Sequence, residues 1–311
     1  MTAIQSESVS ARKYRWHQST LSSLLDGCSW QYFLTYVLEL DQGSKPYATV
    51  GTAFHSAVEM HENNRKNNIE TTEKEMIDEV TKLVSEVITE ENLRQELLLL
   101  ARSAVKNWYE FHRPVVSQWE VIAIEPEFTL PLVDGARPIG GYIDAIYRNP
   151  DNGEIFIVDH KTAKDFTRWK SEEGHRHQAA MYSAALVLSD DFPDITELPK
   201  MVYMVTRTTR SSRKGFESAT IVEVQPDLED IKQLGERIRI AEDVVANEKY
   251  VKKPEWFLCS SKWCPFYEKC MVTEELSGTI SKVRSYVLEY NNQEEVQLEK
   301  SNNNSKEENN D

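Results

Sequence analysis

Apolar residues recur at helical spacing at Leu21, Leu24, Leu25, Cys28, Tyr32 and Tyr36, with Ser19 and Thr20 ahead of them as a cap. The spacing predicts one helix over 19–36 with Cys28 on its apolar face. A second helix begins near Val50, with Gly51, Ala53, Phe54, Ala57 and Val58 toward its inner side and His55 in its first turns. Residues 70–113 are charged, with apolar positions at Met76, Val80, Leu83, Val87, Leu97, Leu100 and Val105, and predict two helices with a solvated acidic face. The period changes at Trp119. Residues 120–132 alternate, 139–147 and 155–160 are apolar runs, and the turn at 149–153 between the last two is a hairpin signal. Three antiparallel strands are expected there. A helical pattern over 169–189, strands at 201–206 and 219–224, and a helix over 226–249 complete the order. Helices followed by βββ-α-β-β predict an α/β fold with a helical N-terminal portion.

The pattern divides the chain into a flexible arm (1–14), a helical portion carrying Cys28 and His55 (15–118), a sheet-bearing core (119–250), a cysteine segment (251–286) and a disordered acidic tail (287–311). With 40% hydrophobic and 28% charged residues the composition is that of a globular protein. The chain contains no run of about 18 apolar residues, so no membrane span is expected. The first ten residues are polar, unlike a secretory signal, and the expected compartment is the cytoplasm of a bacterial, archaeal or phage-infected cell. There the four cysteines are ligands or thiols rather than disulfides. The net charge of −15 excludes a bulk electrostatic nucleic-acid binder, so any such contact must come from a local basic patch. Arg207, Arg210, Arg213 and Lys214 form one such patch between two strands: a phosphate-contacting arm, or simply a solvated hairpin tip.

The chemistry gathers at Ile155-Phe156-Ile157-Val158-Asp159-His160-Lys161-Thr162. On a strand, side chains alternate, so Asp159 and Lys161 share a face and His160 points away. Asp144 ends the apolar run before the hairpin turn, so the two acids and the lysine converge. Hard carboxylate oxygens suit Mg²⁺ or Mn²⁺, beside which a lysine can orient a water or stabilise developing charge. The bland alternative is a salt bridge across a hairpin. Gln178 and Tyr182, four apart, share a helix face.

These residues resemble the PD-(D/E)XK nucleases, and within them the RecB-like branch. The histidine in Gly51-Thr-Ala-Phe-His55, the acid in Gly141-Tyr-Ile-Asp144, Asp159-x-Lys161 and the Gln178-x-x-x-Tyr182 motif match in order, over residues 17–271. The resemblance implies a restriction-endonuclease-like core, a mixed sheet flanked by helices. It also implies His55, Asp144, Asp159 and the backbone carbonyl of His160 as metal ligands. Lys161 would assist the water, and Gln178 and Tyr182 would contact DNA or hold the site together.

Cys259-x₄-Cys264-x₅-Cys270 and the distant Cys28 use every cysteine. From the residues alone such a set holds zinc or an iron–sulfur cluster. Three clustered cysteines plus a remote one around this domain resemble the iron–sulfur RecB-like exonucleases, including the CRISPR-associated and AddB-type nuclease domains. That resemblance implies a structural 4Fe–4S cluster. The expected activity is metal-dependent exonuclease action on single-stranded or duplex DNA ends, in recombination, repair, phage DNA processing or CRISPR adaptation, with a protein partner in a recombination or CRISPR complex. The competing class is a catalytically silent binding or assembly subunit. A redox or iron sensor would use the cysteines and leave the carboxylates unexplained.

Overall fold

A computed structural model describes residues 14–272 except Ser44, Lys170, Ser212, Lys214, Trp256, Phe257 and Lys262. The expected arm, apart from Tyr14, and the expected tail lie outside the described residues. Helix α1 (Gln18–Leu25) stops because the N–H groups of Asp26 and Gly27 both turn back to the carbonyl of Ser22, at 3.0 and 2.8 Å. Cys28 then adopts extended backbone and caps α2 (Ser29–Tyr32), which runs into a π turn, Phe33–Val37. The single helix expected over 19–36 is thus interrupted, and Cys28 sits in the interruption rather than on a continuous apolar face.

Three long helices follow: α3 (Ala48–Lys66), α4 (Glu73–Val87) and α5 (Glu91–Phe111). Thr72 and Glu75 form a reciprocal capping box at the start of α4, and the Glu90 carboxylate accepts the first N–H groups of α5. A short turn, α6 (Arg113–Val116), leads to the sheet.

Strands β1 (Glu120–Ile124), β2 (Glu127–Leu130), β3 (Ile139–Tyr142), β4 (Ala145–Arg148) and β5 (Ile155–Ala163) come next. Two short 3₁₀ turns, Thr167–Trp169 and Glu173–His175, precede α7 (Arg176–Val187). The helix expected over 169–189 therefore begins later, at Arg176. Strands β6 (Lys200–Arg207) and β7 (Ala219–Val224), helix α8 (Leu228–Ala246) and the short α9 (Tyr267–Val272) complete the described chain. No helix among the described residues is long and apolar enough to cross a membrane.

The main sheet has five strands in the order β1-β4-β5-β6-β7. β5 and β6 are parallel, joined through α7, and the other pairs are antiparallel. Each of the first two expected strands is split in two, so β2 and β3 leave to form a small sheet of their own. The splits face each other. Glu125 takes a left-handed φ of 49° ahead of Pro126, and its N–H donates to the Asp144 carbonyl at 3.1 Å, while the Ile143 N–H donates to the Pro126 carbonyl at 3.1 Å. Two bent strands, paired at their bends, hold Glu125 and Asp144 side by side.

Two compact units make up the described chain: residues 14–19 with 44–240, and residues 20–43 with 241–272. In the first, one sheet face (Ala145, Tyr147, Phe156, Val158, Val202, Met204) packs on Phe54, Ala57, Met76, Leu97 and Trp108 of α3, α4 and α5. The other face (Ile146, Ile157, Met201, Tyr203, Val205) packs with Ala179 and Leu186 of α7. This is a mixed sheet flanked by helices, behind a helical N-terminal part. In the second unit the ring of Tyr250 packs on Phe33 at 4.9 Å and on Tyr32 at 6.3 Å, and Ser29 and Val251 exchange hydrogen bonds of 3.2 and 2.8 Å.

Candidate active site

The alternation of β5 puts Asp159 and Lys161 on one face, with Lys161 Nζ 2.6 Å from Asp159 Oδ2. Asp159 is only 1% exposed, so its partners decide its charge. Gln178, in the first turn of α7, donates through Nε2 to Asp159 Oδ1 at 3.0 Å. Tyr203 lies opposite Asp159 in the parallel register of β6; its hydroxyl donates to the His175 carbonyl at 3.1 Å and lies 3.5 Å from Gln178 Oε1. Tyr182, one turn beyond Gln178, packs edge-on against Phe128 at 5.6 Å, and burial raises its phenol well above the usual range.

Asp144 arrives from the bend between β3 and β4. Its Oδ2 accepts the backbone N–H of His160 at 2.8 Å and lies 3.2 Å from Nδ1 of His55, which projects from the first turns of α3. The His160 ring goes to the opposite face, where its Nδ1 accepts from Trp108 Nε1 at 3.2 Å and burial pushes its pKa down to about 3. Ligand atoms of His55, Glu125 and Asp144 all lie within 4.8 Å of one another.

The electrostatics of this group are unbalanced. Burial, followed by the charges of Asp144 and Glu59, pushes the Glu125 carboxyl up to about 8. Burial raises Asp159 to about 6 against the pull of Lys161. Asp144 behaves oppositely: burial works against its charge, but His55 and Lys161 hold it well below the usual carboxylate range. Burial likewise opposes the Lys161 ammonium, yet Asp159 and Asp144 keep its pKa above the ordinary lysine value. Burial disfavours a charged His55 ring as well, and Asp144 more than offsets it.

Of the basic hairpin, Arg207 and Arg210 are engaged with the protein. The Arg207 guanidinium lies between the rings of Phe166 and Phe216, at 4.4 and 4.9 Å, and donates to the Lys164 carbonyl at 3.1 Å. Arg210 pairs with Glu110 at 2.8 Å, Arg213 is exposed, and Lys214 lies outside the described residues. In the second unit Cys28, Cys259, Cys264 and Cys270 line one cavity of about 330 Å³. Burial raises the Cys270 thiol, and the other three cysteines raise it further.

The sequence matches the family model of the PD-(D/E)XK nuclease superfamily over residues 15–271. The chain belongs to that superfamily. No curated protein matches it. A solved structure described as "Crystal structure of SSO0001" is similar at 18% identity and a TM-score of 0.34, over 62% of this chain and 93% of that one.

PD-(D/E)XK nucleases usually use divalent metals such as Mg²⁺, and the residues here fit one. Half-buried carboxylates meet beside a histidine, and the high Glu125 pKa marks negative charge that a dication would relieve. Glu125 is the member of this group that sequence reasoning missed. The only signal was an acid followed by proline inside an alternating run, which reads as a continuing strand until the bend opposite Asp144 is known.

Proposed function

We propose that the protein is a RecB-like, Mg²⁺- or Mn²⁺-dependent DNA exonuclease acting on strand ends in recombination, repair, phage DNA processing or CRISPR adaptation, with a 4Fe–4S cluster on Cys28, Cys259, Cys264 and Cys270. One observation carries the catalytic half: His55, Asp144 and the Asp159–Lys161 pair, supplied by α3, the β3–β4 bend and β5, are linked by contacts of 2.6 to 3.2 Å. His55, Asp144 and Asp159, with Glu125 and the His160 carbonyl, would hold the divalent ion. When bound, that ion supplies Lewis acidity, neutralising charge on the scissile phosphate and acidifying water.

The chain's own groups do the remaining work. The His160 N–H fixes one oxygen of Asp144, and the Gln178 amide fixes one oxygen of Asp159. Lys161 stays charged between two carboxylates, so it acts as a fixed positive donor toward the attacking water and the phosphate rather than as a base. Tyr203 turns the Gln178 carbonyl oxygen toward itself, which leaves the NH₂ for Asp159.

End-labelled single- and double-stranded DNA, incubated with Mg²⁺ or Mn²⁺, tests the activity. Stepwise shortening from an end is expected, whereas cleavage only at internal positions would replace the exonuclease reading with an endonuclease one. Glu125→Ala is expected to raise the metal concentration for half-maximal activity by at least about tenfold. An unchanged metal titration would remove Glu125 from the ligand set.

The shared cavity of the four cysteines supports the cluster. Protein purified without oxygen should be brown and carry about four irons per chain, and Cys259→Ser should lose both colour and iron. A colourless zinc protein would overturn the cluster in favour of zinc.

A further inference from the structure

Beyond Lys161 the same sheet face carries a group of flat side chains that the chemistry above does not use. Trp169 and His175 stack in parallel, with ring centroids 4.2 Å apart and planes within 6°. Both rings rest on Tyr203, at 5.5 and 5.0 Å. The 3₁₀ turns that bear them are pinned: the Trp169 N–H donates to the Phe166 carbonyl at 2.9 Å, and His175 Nε2 lies 3.1 Å from the Arg168 carbonyl. Tyr203 ties the pair to the site, since its hydroxyl meets both the His175 carbonyl and the Gln178 amide that holds Asp159.

The stack also lies close enough to Lys161 for that ammonium to disfavour a charged His175 ring, as burial does more strongly. A neutral imidazole stacks on a base without competing for the phosphate. Register extends the surface: Lys161 pairs with Val205 and Ala163 with Arg207, so the guanidinium held between Phe166 and Phe216 stands further along the same face. The Arg207 guanidinium also holds the Lys164 carbonyl, and the Lys164 and Arg168 side chains of that loop are exposed. A tryptophan acting only as a core plug would bury its ring, but Trp169 and His175 both remain partly exposed. Aromatic planes beside cations are what a single strand needs, because every base has a π face and every phosphate a charge.

We propose that Trp169 and His175 form a stacking platform for an unpaired nucleobase of the DNA strand whose neighbouring phosphate meets Lys161. The inference rests on the nuclease reading. It makes the preferred substrate a single-stranded or frayed end.

The test is a cycle between protein and DNA. Fluorescein-labelled oligothymidylates, each with one abasic residue at a different distance from the end, are bound to wild type, Trp169→Ala, Trp169→Phe and His175→Ala. Ca²⁺ replaces Mg²⁺ to prevent cleavage, and anisotropy reports affinity. In wild type, one abasic position should weaken binding by about 5- to 100-fold. In Trp169→Ala the intact oligonucleotide should already bind more weakly, and the abasic lesion should cost nothing further. Trp169→Phe should recover part of the sensitivity. If Trp169→Ala does not fold, His175→Ala carries the same expectation of a reduced abasic penalty. An abasic penalty unchanged in the variants, or absent at every position in wild type, overturns the platform. Wild type that cleaves DNA without abasic sensitivity loses only the platform, whereas wild type that neither binds nor cleaves DNA loses the nuclease reading as well.

Discussion

Replacing Asp159 or Lys161 by alanine should lower DNA hydrolysis by at least about a thousandfold, at or below the detection limit of an end-labelled assay. Asp159 is buried and Lys161 half-buried beside it, with Lys161 Nζ 2.6 Å from Asp159 Oδ2, and the second Asp159 oxygen is held by Gln178. Asp159→Ala removes a proposed ligand and leaves the ammonium facing Asp144 without its closest partner. Lys161→Ala removes the fixed positive charge and leaves two carboxylates repelling across the site. Because either change breaks an ion pair whose acid is buried, Asp159→Asn belongs in the same series: it keeps the shape and the Gln178 contact region while removing the charge. Thermal unfolding of each variant separates lost chemistry from lost fold. Full activity in well-folded Asp159→Asn and Lys161→Ala would falsify the site assignment. A wild type inert on every DNA end, with either metal, would instead favour the binding or assembly subunit.

Glu62→Ala should cost about 3–5 kcal/mol of folding stability, read from urea unfolding, because it strands a buried network rather than a surface pair. Glu62 is 1% exposed on α3. Its carboxylate accepts from Arg65 Nε at 3.0 Å and from the Tyr147 hydroxyl at 2.7 Å, and meets His61 Nδ1 at 2.8 Å. Burial opposes the charge, yet His61, Arg65 and Tyr147 bring its pKa down to about 2 from 4.5. Such a depressed carboxylate contributes stability that is complete above pH 4.5 and lost as the pH falls toward 2. His112 adds an earlier loss. Buried at the end of α5, it is pushed down to about 4 from 6.5, chiefly by desolvation. The unfolded chain takes up that proton first, so the contribution of His112 is complete above pH 6.5 and falls away between 6.5 and 4. Each window spans roughly 2.5 pH units, or about 3 kcal/mol at most. These two groups therefore pull stability down from pH 6.5 and more steeply below 4.5, whereas the raised carboxyls of Glu125 and Asp159 pull the other way, so each coupling is read as a difference between variant and wild type. His112→Gln should flatten the upper part and Glu62→Ala the lower. A His112→Gln-minus-wild-type difference that stays flat from pH 6.5 to 4 would exclude the His112 coupling, and a Glu62→Ala-minus-wild-type difference that stays flat from pH 4.5 to 2 would exclude that of Glu62.

The Asp159–Lys161 geometry was legible from the chain because a strand's period of two is a local property: four apolar residues mark the buried strand, and the spacing of the charges assigns their face. The i,i+4 spacing of Gln178 and Tyr182 on one helix was legible for the same reason, as was the alternation of helices and strands that specifies the fold class. Where partners are remote, periodicity has nothing to report. Residues 120–132 and 139–147 each read as one strand, and only their mutual pairing reveals the bends at Glu125 and Asp144. Arg207 and Arg210 look like free cations until Phe166, Phe216 and Glu110 come to them from elsewhere in the chain. Cys28 follows a helical pattern that hydrogen bonds back to Ser22 interrupt just before it. By itself, then, the sequence determined which residue faces are buried and which charges travel together on one element. Tertiary structure alone decided which elements bend, which charges are neutralised, and that Glu125 joins His55 and Asp144. Those outcomes depend on contacts between residues far apart in the chain, and no local pattern encodes them.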